Sequence, residues 1–142
     1  MSAVHDSPIL LFEPSAVLRQ TVALTAISIG AGYVWQASNV KAAQEMLETQ
    51  SFVGAMLAVD GNDSYANSAL PIIESIRAGT TASSPDIPVY VIVDSCSQSL
   101  LTKLSTLNVQ RVLIKPFKAR VLIEALSSSF RAPHYTQISP IL

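Results

Sequence analysis

Short apolar runs alternate with longer amphipathic segments along most of the chain, and this pattern predicts alternating strands and helices. Five runs lack helical periodicity and have the length of buried strands: Ile9–Phe12, Tyr33–Ala37, Phe52–Val59, Ile87–Val93 and Arg111–Lys115. Each is followed by a segment whose apolar residues recur at helical spacing: Ser15–Ile29, Val40–Thr49, Ala69–Arg77, Leu100–Leu107 and Ala119–Phe130. Five such units with right-handed crossovers predict an α/β fold, a parallel sheet with helices on both faces.

The same spacing predicts which helical side chains face the sheet. In the first helix the residues at this spacing are Val17, Leu18, Val22, Leu24, Thr25 and Ile29. In the later helices they are Val40, Ala43, Met46 and Leu47, then Leu70, Ile73 and Ile76, and finally Val121, Leu122, Ala125 and Leu126. These side chains are expected to form the two halves of the core, one on each face of the sheet.

Composition narrows the class of protein. The 142 residues suit one domain, and 49% hydrophobic with only 13% charged residues favours a sheet buried on both faces. We expect residues 1–7 to be a flexible leader, residues 8–130 to form the domain, and residues 131–142 to be a tail or a truncated linker. A net charge of −1 without a basic cluster argues against nucleic-acid binding by this chain.

Other features argue against a membrane helix, a signal peptide and a zinc site. No apolar run is long enough for a membrane helix, and Met1–Pro8 does not have the pattern of a signal peptide, so we expect a cytoplasmic protein. Cys96 is the single cysteine, and the two histidines, His5 and His134, lie near opposite ends. A zinc site is therefore not expected.

The carboxyl ends of the strands are where a site is expected, because parallel sheets bind their ligands there. The residues at these positions are Glu13, Ala58 to Asp60, Val93 to Ser95, and Lys115. A lysine that ends a buried strand is expected to point into a cleft, because burying an unpaired ammonium is costly. Pro116 turns the chain away after it and makes a cis Lys115–Pro116 bond plausible.

Nucleotide-binding motifs are absent from the first turn. Glu13-Pro14-Ser15 lacks the glycine spacing of a dinucleotide or phosphate loop, which excludes Rossmann and P-loop interpretations.

Several of these features together resemble the receiver domain of response regulators, in its chemotaxis-regulator-like form. They are Glu13-Pro14 after the first strand, Arg19 six residues on, Ile87-Pro88 opening the fourth strand, and Ile114-Lys115-Pro116-Phe117 ending the fifth. The resemblance covers about Pro8 to Phe130. It implies a flavodoxin-like (βα)5 doubly wound sandwich with strand order 2-1-3-4-5 and a role in two-component or phosphorelay signal transduction.

A phosphorylated receiver of this family uses a pair of acids, an acceptor aspartate, a hydroxyl residue, an aromatic residue and a lysine. Mapped onto this chain without gaps, these switch positions are Glu13 and Pro14, Ala58, Val93, Val112 and Lys115. The second acid, the acceptor, the hydroxyl and the aromatic ring are thus replaced. The resemblance therefore implies a degenerate receiver, or pseudo-receiver, without enzymatic activity, cofactor or metal, that acts through protein-protein interaction.

Two alternatives stay open. In a register shifted by two residues Asp60 would be the phospho-acceptor, and Glu13, Asp60 and Asp63 would be weak candidates for binding Mg²⁺. The chain could instead be an unrelated flavodoxin-like enzyme with a small ligand at the strand ends. No catalytic pair containing His or Cys is visible there, and Cys96 lacks a basic neighbour.

The resemblance also implies where a partner would bind. The family's usual contact surface corresponds to Ser97–Phe130, where we expect a protein partner or a second copy to bind. The exposed residues there are predicted to be Lys103, Arg111, Lys118, Arg120 and Glu124.

Without a phosphoryl group to bind, Lys115 needs another anion. Glu13 is the nearest candidate, so we predict a Glu13–Lys115 salt bridge, which we expect to contribute little if it is solvated.

Overall fold

Five strands and five helices alternate in the computed structural model, which describes residues 8–59 and 68–129. The strands are β1 Ile9–Phe12, β2 Val34–Ala37, β3 Gly54–Ala58, β4 Val89–Val93 and β5 Arg111–Ile114. The helices are α1 Ala16–Ser28, α2 Val40–Thr49, α3 Leu70–Ala78, α4 Gln98–Thr106 and α5 Ala119–Ser129. The elements occur in the predicted order, and their ends differ from the predicted ones by a few residues at most.

The strands form a single parallel sheet in the order β2-β1-β3-β4-β5, as the sequence predicted. Its carboxyl edge can be read from the pairing, in which Phe12 lies opposite Ala37 on one side and Leu57 on the other. The next residues of the two central strands, Glu13 and Ala58, are therefore level with each other.

The core has two parts, one on each face of the sheet. One part joins β-strand side chains to α2, α3 and α4, and its helical members include Leu47, Ile73 and Leu104. The other joins the opposite face to α1 and α5, with Ala26 and Leu126 among its members. β1, β3 and β4 are buried at every position, which explains why their sequences are continuously apolar.

The prediction of the α1 core face was wrong at two positions. Val17 is 79% exposed and Leu24 is 67% exposed, whereas the buried residues of α1 are Val22, Ala23 and Ala26. Small alanine side chains allow the helix to lie close to the sheet, so the helix turns its alanines inward and its larger aliphatic residues outward. Apolar spacing alone does not reveal this preference.

Local signals agree with the helix starts. Ser15, Asn39 and Ser97 each accept a hydrogen bond from a first-turn backbone N–H, which satisfies a donor that the helix itself leaves free. The Ser97 cap makes α4 begin at Gln98, two residues before the predicted start. At the other end of α3, Gly79 has φ +78°, a conformation that glycine adopts without strain.

Several sequence predictions concern residues outside the described ranges. These are the leader at residues 1–7, the tail at residues 131–142, the alternative acceptor Asp60 and its companion Asp63.

Within the described residues, no helix is both long and apolar enough to cross a membrane.

Candidate functional site

Glu13 lies at the centre of the carboxyl edge and is buried, with 1% of its surface exposed. Its Oε2 accepts a hydrogen bond of 2.9 Å from the backbone N–H of Ser15, the residue that caps α1. Its own carbonyl oxygen accepts a 2.8 Å bond from Arg19, and its backbone N–H donates to Ala37. These contacts hold the turn between β1 and α1 and aim the carboxylate into the edge of the sheet.

Lys115 supplies the charge that faces this carboxylate. Its Nζ lies 3.3 Å from Glu13 Oε1 and 3.4 Å from Oε2, and it donates a hydrogen bond to Oε2. The Oε1 atom accepts no hydrogen bond from any described residue, although the ammonium is near it. The Lys115 backbone N–H donates to the carbonyl of Val93 at 2.8 Å, which holds the end of β5 beside β4. The Lys115–Pro116 bond is cis.

Asp94 is a second acid beside the same ammonium. It follows β4 directly, is 85% exposed, and places Oδ1 3.8 Å from Lys115 Nζ. Residues 93–95 are predicted to lie at this edge, but no role is predicted for Asp94. Its position immediately after a buried strand that neighbours β5 is the signal that could have indicated it.

The predicted Glu13–Lys115 salt bridge is present, but its environment is not the solvated one considered above. The Lys115 side chain is 27% exposed, whereas the Glu13 side chain is only 1% exposed. A buried carboxylate depends on its counter-ion far more than an exposed one does. Removing Lys115 is therefore expected to affect stability strongly.

The other residues predicted to be switch positions carry no oxygen-bearing or aromatic side chain. Ala58 is the last residue of β3 and is 7% exposed, and Val93 ends β4 fully buried. Val112 packs against the core part that contains α2, α3 and α4. Pro14 is exposed beside Glu13. These side chains act as core or turn residues and offer neither a nucleophile nor a metal ligand.

The described residues do not fit a divalent cation. Among them no group of three or more His, Cys, Asp or Glu residues could hold a metal ion. Magnesium requires several oxygen ligands in nearly octahedral geometry, and among the described residues Glu13 is the only buried carboxylate at this edge. Its oxygen atoms already face the Lys115 ammonium.

The predicted interaction surface is a mixture of charged and apolar side chains. Lys103, Lys118, Arg120 and Glu124 are exposed as predicted, whereas Arg111 is only partly exposed. Three large apolar residues that the prediction missed are also exposed: Leu101 at 45%, Ile114 at 53% and Ile123 at 38%. Ile114 lies within an apolar run typical of a buried strand, but β5 is an edge strand, and this is why its exposure could not be read from the pattern.

Solved receiver domains share the fold of this chain. A receiver domain protein from Methanospirillum hungatei superposes with a TM-score of 0.73 at 13% identity, covering 86% of this chain and 91% of that one. The chemotaxis protein CheY4 of Vibrio cholerae superposes with a TM-score of 0.71 at 18% identity, covering 86% of this chain and 97% of CheY4. A response regulator from Burkholderia pseudomallei was solved with a phosphorylated aspartic acid and a calcium ion. It superposes with a TM-score of 0.68 at 19% identity, covering 89% of this chain and 67% of that one.

Sequence comparison adds nothing to these structural matches, since no family model and no curated protein matches the chain. Identities below 20% in the three structures named above show the fold alone. These neighbours are signalling domains rather than enzymes. The chain thus has the flavodoxin-like fold of response-regulator receiver domains, with an ion pair between Glu13 and Lys115 at its carboxyl edge.

Proposed function

We propose that this chain is a receiver-like signalling module of a two-component or phosphorelay system that works without phosphorylation, through contact with a cytoplasmic protein partner or a second copy of itself. The observation that carries the proposal is the Glu13–Lys115 ion pair beside the methyl group of Ala58. Phosphoryl transfer to an aspartate needs a nucleophilic carboxylate and a bound metal that neutralises the charge. At the position level with Glu13 the chain has Ala58 rather than an aspartate, and no group of three or more possible metal ligands lies among the described residues.

The phosphorylation-independent part of the proposal is tested with a small phosphoryl donor. Incubation with acetyl phosphate and Mg²⁺ is expected to leave the intact mass of the chain unchanged, because the position level with Glu13 is Ala58, whose methyl group cannot accept a phosphoryl group. Mass spectrometry of the whole chain measures this directly. A receiver domain with its acceptor aspartate intact, treated in parallel, shows that the donor is active.

The alternative with Asp60 as acceptor predicts a different result in the same experiment. A phosphoryl adduct that disappears in Asp60→Asn would establish a phospho-accepting response regulator and refute the proposal. An adduct that persists in Asp60→Asn but disappears in Asp63→Asn would also refute it, with a different acceptor.

The contact surface is proposed to be the face formed by α4, β5 and α5. Exposed Leu101, Ile114 and Ile123 supply apolar area, and charged Lys118 and Arg120 lie on the same stretch of chain. Apolar residues surrounded by charges of both signs are typical of specific protein contacts, in which the charges select the partner. This composition favours a protein partner over a nonspecific anionic surface.

Reversing the charge of Lys118 and Arg120 together is expected to weaken self-association or partner capture at least about tenfold, because like charges placed across an interface cost several kcal/mol. Size-exclusion chromatography with light scattering measures the oligomeric state, and affinity capture from extract measures partner binding. Ile114→Asp, at an exposed apolar position on the same face, is expected to give the same result.

Glu48→Lys is the matched control, since Glu48 is exposed on α2, which packs on the sheet away from α5. Equal loss of binding in this variant would show a nonspecific charge effect. Unchanged association and capture in both surface variants would contradict the assignment of the contact face.

A further inference from the structure

The Glu13 carboxylate has an unusual combination of properties. It is almost completely buried, it has one oxygen that accepts no hydrogen bond from any described residue, and it faces one ammonium group. Removing such a carboxylate from water without a cation is strongly unfavourable. The edge of the sheet therefore contains an anionic site that needs a positive charge to be stable.

We propose that this is an ammonium site whose permanent occupant is the Lys115 ammonium, and that truncating Lys115 converts it into a binding site for small primary ammonium ions. The inference rests on the proposed function, because it explains how a receiver-like edge does without a metal. It goes further by naming the chemical class of ligand that the site selects.

The geometry favours an ammonium ion over a divalent metal. Lys115 Nζ is 3.3 Å and 3.4 Å from the two Glu13 oxygens and 3.8 Å from Asp94 Oδ1, which are ion-pair distances, longer than the usual N–H···O hydrogen bond. Magnesium would require oxygen ligands at about 2.0–2.1 Å in octahedral arrangement. Pro14 and Ala58, the neighbouring positions, offer no side-chain oxygen.

The position of Glu13 Oε1 gives a reason for a free ammonium ion to bind well. Lys115 is anchored at the end of β5, and from there its ammonium lies 3.3 Å from Oε1 but has hydrogen-bond geometry only toward Oε2, at 3.4 Å. An ammonium has three N–H donors. An untethered ion of the same size can turn one of them toward Oε1 and leave another for Oε2.

The experiment uses Lys115→Ala in the full chain, together with n-propylammonium chloride, which replaces the atoms that the substitution removes. The melting temperature of the variant is expected to rise by about 3–6 °C when the ion is present at ten times its dissociation constant. Tetramethylammonium chloride and sodium chloride at equal concentration are expected to give much smaller shifts, since neither offers N–H donors.

Two variants serve as controls. Lys103→Ala removes the lysine of an exposed ion pair, in which Nζ lies 3.8 Å from Glu74 Oε2 and both side chains are about half exposed. The double variant Glu13→Gln/Lys115→Ala removes the carboxylate itself. Neither is expected to show stabilisation specific to propylammonium. An equal shift in either control, or equal shifts with all three salts in Lys115→Ala, would overturn the inference.

The unmodified chain provides a second measurement that does not depend on whether the variants fold. Millimolar Mg²⁺ is expected to cause no saturable change in the amide resonances of Glu13, Ser15 and Lys115, because the ammonium already compensates the carboxylate. Saturable changes at these amides would overturn the inference. A phosphoryl adduct on Asp60 without such changes would refute the proposed function but leave the Lys115 assignment standing, so the two failures can be told apart.

Discussion

Replacing Arg77 with methionine is expected to lower the free energy of unfolding by about 3 kcal/mol, since hydrogen bonds from a charged donor contribute about 1.5–3 kcal/mol each and are not additive. Urea unfolding followed by circular dichroism measures the change. Methionine keeps much of the aliphatic volume, so the loss reports the guanidinium contacts.

The reason for this large effect is the number of chain segments that Arg77 joins. From the last turn of α3 its Nε donates to the Leu107 carbonyl at 2.7 Å and its Nη2 to Asn108 at 3.1 Å. Its Nη1 donates to the carbonyls of Pro85 and Ile87 at 2.7 Å and 2.8 Å. One side chain therefore connects α3 to the segment before β4 and to the turn between α4 and β5.

The surroundings of Arg77 are consistent with a structural role. Partial burial lowers the pKa of its guanidinium, and the nearby Asp86 carboxylate partly offsets this. Asn108, one of its acceptors, has φ +56°, a left-handed conformation that asparagine tolerates better than most residues. The guanidinium contacts help to hold this turn in place.

Two variants test the interpretation. Arg77→Lys is expected to recover little stability, because an ammonium cannot reproduce the planar fork of donors. Arg120→Met, at an exposed position at the start of α5, is expected to change stability by less than about 0.5 kcal/mol. A loss in Arg77→Met no larger than in Arg120→Met would show that the four contacts contribute nothing measurable.

Lys115→Met is expected to lower the free energy of unfolding by about 2–4 kcal/mol, because it leaves the Glu13 carboxylate buried without its counter-ion. The estimate lies below that for a fully buried pair, since the lysine side chain is 27% exposed. Denaturant unfolding at neutral pH measures the loss.

A double-mutant cycle separates this effect from a general loss of packing. Glu13→Gln in the Lys115→Met background is expected to restore much of the stability, since a neutral amide costs less to bury than an unpaired carboxylate. A loss below about 0.5 kcal/mol in Lys115→Met would indicate instead that the pair behaves as an exposed one. No recovery in the double variant would assign the loss to packing.

The sequence contained enough information to predict the fold, for a physical reason. Strands such as Ile9–Phe12 and Val89–Val93 are buried on both faces, so they appear as continuous apolar runs that differ from the helical spacing around them. Caps such as Ser15 and Asn39 depend on the local chain, and the predicted helix starts lie within two residues of the observed ones. The strand order came from the resemblance rather than from periodicity.

The candidate site could be predicted only in part. Parallel strands align their carboxyl ends, so the sequence placed Glu13 and Lys115 at one edge and predicted their salt bridge. The burial of Glu13 could not be predicted in this way. It depends on how the turn after β1, which Ser15 and Arg19 hold, folds over the edge of the sheet. The participation of Asp94 depends likewise on the neighbouring ends of β4 and β5.

What the sequence by itself determined is the set of elements and their alternation. That Pro14, Ala58, Val93 and Val112 occupy switch positions is implied by the resemblance and stays a prediction. Only the tertiary structure decided which apolar residues are exposed, including Val17 and Leu24 on α1 and Ile114 on β5. It also decided that Arg77 joins segments up to 31 residues away. The physical reason is the same in each case: local patterns encode backbone conformation, whereas burial and long-range hydrogen bonds depend on which surfaces the packed helices and strand edges leave open.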